Sequence, residues 1–233
     1  MSEAARAADR TPPRAVLLDL DGTLLDSLGS VAEAMVETLG RHGHRVTRAE
    51  VLAVLGHSLP QVITDLTALP RDEALRVADD YRALYYDRYY RRAEPCPGAG
   101  ALLAGLGAAA VPLALVTSRR ERYAHFVLAH LGWTAHFPVV VGQDTAAAPK
   151  PDPAPVLHAL AALGADAAGS AFVGDTNEDM AAARDAGVGM VVGLTHIRRP
   201  EELRASGATH LAAGLDAVGA LLGLPLAVPG GAA

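Results

Sequence analysis

Ala15-Val-Leu-Leu-Asp-Leu-Asp-Gly22 is the stretch on which the fold turns. An apolar run of strand length ends at two carboxylates, Asp19 and Asp21, and at an Asp-Gly pair. It reads as a buried strand, Ala15 to Leu20, closed by a tight turn. Past this turn the period changes. From Ser27 to about Glu94 the pattern is helical, with stretches Leu28 to Gly40, Thr47 to Leu55, Ser58 to Leu69 and Asp72 to Arg92, and nothing there reads as a strand. Pro70 divides the last two, with Asp72 as the expected N-cap.

After Pro95-Cys96-Pro97-Gly98, helix and apolar strand alternate: a helix to Ala108, strand Leu113 to Val116, helix Glu121 to Leu131, strand Val139 to Val141 and helix Ala154 to Leu163. Strand Ala171 to Val173, helix Asn177 to Ala186 and strand Gly189 to Val192 complete the series. This order implies an α/β fold, a doubly wound parallel sheet. The expected organisation is a leader over residues 1–14, a core from 15–27 and 95–224, an inserted all-helical segment over 28–94, and a flexible tail over 225–233.

Composition agrees. The chain has 233 residues, enough for one large domain or a core with a smaller insertion. It is 51% apolar but only 4% aromatic, so its core is assembled from Leu, Val and Ala, as suits helices on a parallel sheet. A net charge of −6 argues against non-specific binding to nucleic acid or a membrane surface. Met1 to Arg14 lacks the layout of a signal peptide, and the uncharged run from Ala217 to Ala233 is broken by Gly and Pro and too short to span a bilayer, so a last helix with a frayed end is expected. A single cysteine, Cys96, and no zinc-type spacing point to a reducing cytoplasm. Among the 20 Lys and Arg residues, Lys150 is the only lysine.

In open α/β sheets ligands bind at the carboxyl ends of the strands, where strand order reverses. Four polar clusters fall there. Asp19-Leu-Asp21-Gly-Thr23 places like charges two residues apart, a crowding that a cation relieves. Thr117-Ser118 supplies hydroxyls and amides at an expected helix start, a setting for phosphate oxygens. Lys150 stands between Pro149 and Pro151 as a fixed positive charge. Gly174-Asp175-Thr-Asn-Glu-Asp179 brings further carboxylates. Acidic oxygens without His or Cys favour a hard cation, Mg2+ above all.

These motifs resemble those of the haloacid dehalogenase-like hydrolase superfamily, especially its phosphoglycolate-phosphatase-like branch with a helical cap inserted after the first strand. The resemblance runs from Ala15 to Leu222 and rests on DLDGTLLDS at Asp19 to Ser27, LALVTS ending at Ser118, KPDP from Lys150 and VGDTNEDMAAARDAGV from Val173 to Val188. It implies a Rossmann-like core and a phosphatase acting on a small phosphorylated metabolite. It further implies Asp19 as nucleophile, forming an aspartyl phosphate, and Asp21 as acid and base, its carbonyl also binding Mg2+. Thr117 would hold a phosphoryl oxygen, Lys150 would neutralise charge, and Asp175 and Asp179 would join Asp19 around the metal. Thr23, Ser118, Arg119, Gly56 and His57 are the residues expected near the substrate. Hinging is expected at Asp26 to Leu28 and Glu94 to Gly98, in a monomer or homodimer.

Neighbouring chemistries separate on particular residues. Dehalogenase relatives lack an acid at the position of Asp21, and phosphonate-cleaving relatives use a cap lysine that this chain does not have. A sugar-phosphate mutase shares the whole catalytic set. Receiver domains of signalling proteins also cluster Asp, Thr or Ser and Lys around Mg2+, but there the lysine comes last, whereas Lys150 precedes Asp175 and Asp179. Gly56-His57-Ser58 reads either as a specificity loop or as a helix end with Ser58 capping the next helix. Arg119 reads as a ligand for a remote anion or as surface. Tyr81, Tyr85, Tyr86, Tyr89 and Tyr90 read as core of the insertion or a subunit contact, and Cys96 as packing.

Overall fold

The computed structural model describes residues 12–55 and 58–224, so the expectations for most of the leader, for Gly56 and His57 and for the tail lie outside the described residues. The chain divides into two compact units, with boundaries between Leu25 and Asp26 and between Glu94 and Pro95.

The larger unit holds six strands: β1 (Val16–Leu18), β4 (Leu113–Val116), β5 (Val139–Val141), β6 (Ala171–Gly174), β7 (Met190–Leu194) and β8 (His210–Ala212). They form one sheet in the order β5-β4-β1-β6-β7-β8, every described pairing parallel. The connecting helices are α5 (Ala99–Ala108), α6 (Glu121–His130), α7 (Ala154–Leu163), α8 (Asn177–Asp185), α9 (Pro200–Ser206) and α10 (Leu215–Leu221). Strand β1 lies between β4 and β6, with Leu18 level with Leu115 on one side and Val173 on the other. This is the point at which strand order reverses, and Asp19, Thr117 and Asp175 stand at or just past the carboxyl ends of these three strands.

Alternation along the strands sets the core. Leu17, Ala114, Val116 and Phe172 pack with Val156, Ala159 and Leu160 of α7 and Met180, Ala182 and Ala183 of α8, all buried. Val16, Leu18 and Leu115, pointing to the opposite face by the period of two, are buried as well. Both faces are covered, so the strands read as continuous apolar runs.

The smaller unit is helical: α1 (Leu28–Arg41), α2 (Arg48–Val54), α3 (Leu59–Thr67) and α4 (Arg71–Leu84). Ala74, Val77, Ala78, Tyr81 and Tyr85 recur at helical spacing and pack against Met35, Leu39, Val51, Val62 and Ile63. Thr47 caps α2 in a capping box with Glu50. Ser58 does cap α3, without a side-chain hydrogen bond.

The structure departs from the sequence reading at several places. The first strand is shorter, Val16–Leu18, because the chain turns back on itself after Asp19 and the N–H groups of Leu24 and Leu25 both reach the Leu20 carbonyl. Pro70, not Asp72, occupies the N-cap of α4, while Asp72 and Glu73 fill its first turn, where a carboxylate suits the helix dipole. The expected helix to Arg92 loses its regular winding at Leu84. Tyr85–Tyr89 form a π-helical turn and Tyr90–Arg92 a 3-10 turn, with Tyr81 stacked on Tyr85 at 5.7 Å and Tyr86 edge-on to Tyr85 at 5.1 Å. Two-residue strands β2 (Leu25–Asp26) and β3 (Glu94–Pro95) pair where no strand was expected, too short to show a period. Strand β8 and helix α9 also went unread, each being three to seven residues long. Thr117 and Ser118 do not start a helix directly, since α6 begins at Glu121.

Phe172 is fully buried in β6, whereas Phe126 on α6 is 58% exposed. Phe172→Ala should therefore cost about 3–5 kcal/mol, and Phe126→Ala about 0.5 kcal/mol or less, as read from chemical denaturation.

Candidate active site

Asp19 continues β1 by one residue, its N–H bonded to the Val173 carbonyl at 3.0 Å. Its side chain is 7% exposed, and Lys150 Nζ donates to its Oδ1 at 2.8 Å. The same ammonium donates to Asp179 Oδ1 at 2.5 Å and to the Val116 carbonyl at 3.0 Å. An ammonium has three protons, and here each has an acceptor. Lys150 thereby joins the ends of β1 and β4 to the start of α8, with its own position given by the loop after β5.

Asp179 divides its two oxygens between structure and site. Its Oδ2 accepts from the Thr176 N–H at 3.1 Å, the Thr176 hydroxyl at 2.7 Å and the Asp175 N–H at 3.3 Å, while the Thr176 hydroxyl oxygen accepts the Asp179 N–H. This is a capping box that starts α8 and leaves Oδ1 to Lys150. Asp175 accepts the Thr23 hydroxyl on Oδ1 at 2.9 Å. Gly22, at φ +87°, passes so close that a Cβ there would lie 2.4 Å from Asp175 Oδ2. The turn after β1 thus needs glycine for its backbone and for space.

One oxygen each from Asp19, Asp175 and Asp179 lies within 4.8 Å of the others, and all three residues are buried. Burial pushes the Asp19 carboxyl up to about 7, with Lys150 opposing and Asp179 reinforcing the shift. Burial, with the charges of Asp19 and Asp179, likewise raises Asp175 well above the usual carboxylate range. For Lys150, burial works against the charge, but Asp179 and Asp19 outweigh it and hold the ammonium protonated. One ammonium cannot balance three buried carboxylates. The chemistry of the donor set, all carboxylate oxygen, fits a hard divalent cation.

The remaining expected residues fall into different places. Thr117 is buried, its N–H bonded to the Val141 carbonyl at 2.9 Å, and its hydroxyl oxygen accepts the Arg119 N–H at 3.2 Å. Ser118 is exposed. Thr23, expected near substrate, is fully buried against Asp175. Arg119, expected at a remote anion or on the surface, is instead 9% exposed in its side chain and forks onto both oxygens of Asp21. The Asp21 side chain is not part of the three-carboxylate group. Gly56 and His57 lie outside the described residues. Sequence reasoning missed Thr176, although its spacing to Asp179 is that of a capping box. It also missed Gln143, Asp144 and Thr145, which brace the loop before α6: Gln143 N–H to Arg119 carbonyl 2.8 Å, Glu121 N–H to Asp144 Oδ1 2.8 Å, and Thr145 hydroxyl to Glu121 Oε2 2.7 Å.

Comparison with known proteins shows the family. Residues 16–192 match the family described as haloacid dehalogenase-like hydrolase. A phosphoglycolate phosphatase of Neisseria meningitidis is 35% identical over 189 residues, 78% of this chain and 80% of that protein. A plasmid-borne phosphoglycolate phosphatase of Cupriavidus necator is 34% identical over 216 residues, 91% and 94% of the two chains. Among solved structures, one described as a predicted phosphoglycolate phosphatase from Haemophilus somnus superposes with a TM-score of 0.81 at 23% identity, covering 89% of this chain and 97% of that one, and shares the fold. With a family match across most of the core and relatives of this identity along most of their length, the chain belongs to the haloacid dehalogenase-like hydrolases, among the phosphatases of the phosphoglycolate-phosphatase-like branch.

Proposed function

We propose that this phosphatase is Mg2+-dependent and hydrolyses a small phosphomonoester through an aspartyl phosphate on Asp19, with phosphoglycolate, the substrate named for its relatives, as the first candidate. The observation that carries the reading is the Asp19 carboxylate at the end of the central strand, held by Lys150 and grouped with Asp175 and Asp179. Asp19, Asp175 and Asp179, with the Asp21 carbonyl, would hold the cation, which when bound offsets charge on the carboxylates and on phosphoryl oxygens.

The protein's own groups do the rest. Asp19 attacks phosphorus in line, forming the Asp19 O–P bond as the bond to the leaving oxygen breaks. Asp21 gives that oxygen a proton. A water then attacks the same phosphorus, Asp21 takes its proton, and the Asp19 O–P bond breaks to release phosphate. Thr117, whose hydroxyl oxygen accepts from Arg119, keeps its own proton to donate to a phosphoryl oxygen. Lys150 balances charge on the nucleophile throughout. The helical unit, Asp26–Glu94, would act as a cap, moving at Asp26 to Leu28 and Glu94 to Gly98 to exclude water from the first half-reaction. Among the described residues no helix is long and apolar enough to cross a membrane, and a chain with one cysteine suits the reducing cytoplasm.

Phosphate release over a panel of phosphomonoesters with Mg2+ tests the reading. Phosphoglycolate should be turned over with kcat/KM of about 10⁴–10⁸ M⁻¹s⁻¹. A panel without any phosphate release would overturn it and direct attention to bisphosphate-primed isomerisation of sugar phosphates. Asp19→Asn should abolish turnover. Because burial raises the Asp19 carboxyl from 3.8 to about 7, its charge weakens the metal-free fold progressively as pH rises between those values, and Asn carries no such charge. The metal-free variant at pH 8 should therefore melt no lower than wild type.

Chelation should stop turnover, and added Mg2+ should restore it; full activity in excess chelator would remove the metal from the reading. Lys150→Met leaves the carboxylates facing one another without a counter-charge. It should lose activity and cost about 3–5 kcal/mol in the metal-free protein, as measured by denaturation.

A further inference from the structure

Asp21 stands two residues from Asp19, yet the two carboxylates have different partners. Arg119 Nε and Nη2 each donate to a separate oxygen of Asp21, both at 2.5 Å, a bidentate fork. The side chains are 9% and 26% exposed, so the pair is largely withdrawn from water. Arg119 is itself held on both sides of its backbone. Its N–H donates to the Thr117 hydroxyl oxygen at 3.2 Å, and its carbonyl accepts the Gln143 N–H at 2.8 Å. Gly142, beside it, leaves no room for a Cβ, which would lie 2.2 Å from the Glu121 nitrogen.

We infer that Arg119 is a positioning residue: it fixes the plane of the Asp21 carboxylate and holds it out of the Asp19, Asp175 and Asp179 group. The physical need is plain. An aspartate has two rotatable side-chain bonds, and a fourth carboxylate swung towards Lys150 would compete with Asp19 for its only ammonium. A planar guanidinium on both oxygens fixes the carboxylate plane, which an ammonium or a single hydrogen bond cannot do. A group misplaced by about 1 Å can lose about 10²-fold in rate.

This inference rests on the acid–base reading of Asp21, and the experiment separates the two. Arg119→Ala, Arg119→Lys, Asp21→Asn and the double variant Arg119→Ala/Asp21→Asn are compared by kcat, KM and kcat/KM on an alkyl phosphomonoester and on para-nitrophenyl phosphate. The quantity kcat/KM reports formation of the aspartyl phosphate, and an alkoxide needs a proton on leaving far more than a nitrophenolate does. Arg119→Ala should lower kcat about 10–100-fold with KM within about threefold of wild type. Its kcat/KM should fall several-fold further for the alkyl ester than for the aryl ester. Arg119→Lys should be rescued only in part, added guanidinium ion should restore activity to Arg119→Ala, and in the Asp21→Asn background the loss of Arg119 should cost little more.

A rise in KM with kcat unchanged, or an undiminished loss in the Asp21→Asn background, would make Arg119 a substrate ligand and overturn the inference. An impaired Asp21→Asn beside an Arg119→Ala of wild-type rate would overturn the inference alone. A wild-type rate in Asp21→Asn would remove the acid–base reading and this role together. Should Arg119→Ala fail to fold, Arg119→Lys decides: a wild-type rate on the alkyl ester overturns the role, and a selective loss on that ester supports it.

Discussion

The Lys150 ammonium is the constraint on which the site depends. Withdrawing an ion from water costs several kcal/mol even after relaxation, so a buried lysine persists only where every proton has an acceptor and opposite charge lies near. Asp19, Asp179 and the Val116 carbonyl meet that condition, and the Phe172 ring beneath the ammonium, 5.9 Å away at its centroid, adds a π face. In a chain with no other lysine, this geometry explains why a lysine stands here. Three acceptors converging on one point suit a compact ammonium, whereas a planar guanidinium would spread its donors past them. Because the acceptors come from β1, β4 and α8, the register of the sheet and the winding of one helix are tied to a single charge.

Around that charge, hydroxyls and glycines distribute the carboxylates. Thr23 holds Asp175, Thr176 holds Asp179, and each leaves the carboxylate an oxygen for other work. Gly22 allows the turn after β1 to pass against Asp175, and Gly174 does the same against Asp179, where a Cβ would lie 2.6 Å from the carboxyl. Arg119 draws the fourth carboxylate aside. Asp19 and Asp21, neighbours in sequence, therefore differ in environment: one is deeply buried against an ammonium and two further acids, the other is held in an arginine fork nearer to solvent. Environments that differ in this way allow two chemically identical side chains to take different parts in one reaction.

The same physics explains what could be read from the sequence alone. The parallel sheet, the strand ends and the acids Asp19, Asp175 and Asp179 were legible because buried strands are apolar runs and polar residues cluster just past them. Lys150 stood out by rarity. What was not legible depends on partners far away along the chain. Thr23 reaches across 152 residues to Asp175, and Arg119 across 98 to Asp21, and no local pattern says which of several acids a hydroxyl or guanidinium will meet. Strands β2 and β3 have two residues each, below the length at which a period can be counted. The π-helical turn at Tyr85–Tyr89 escapes for another reason: the tyrosines keep an apolar face at helical spacing, and periodicity cannot distinguish a regular turn from a widened one.

The place of the helical segment in the chain is set by the needs of β1. The insertion begins just after the turn that carries Asp19 to Leu25, so it leaves the pairing of β1 with β4 and β6 untouched. Within the core unit the Cys96 N–H bonds the Leu24 carbonyl at 2.9 Å, so the points at which the core chain leaves and returns adjoin one another. Ends that adjoin let the core close its own hydrogen bonds whatever lies between, and the entropy of closing a longer insertion grows only as the logarithm of its length. The helical unit has its own core of Met35, Leu39, Ile63, Tyr81 and Tyr85, whereas the three clustered carboxylates and Lys150 belong entirely to the sheet unit. Residues that do the chemistry are thus held by bonds made within the sheet unit itself, Thr23 to Asp175 and Lys150 to Asp19, Asp179 and the Val116 carbonyl.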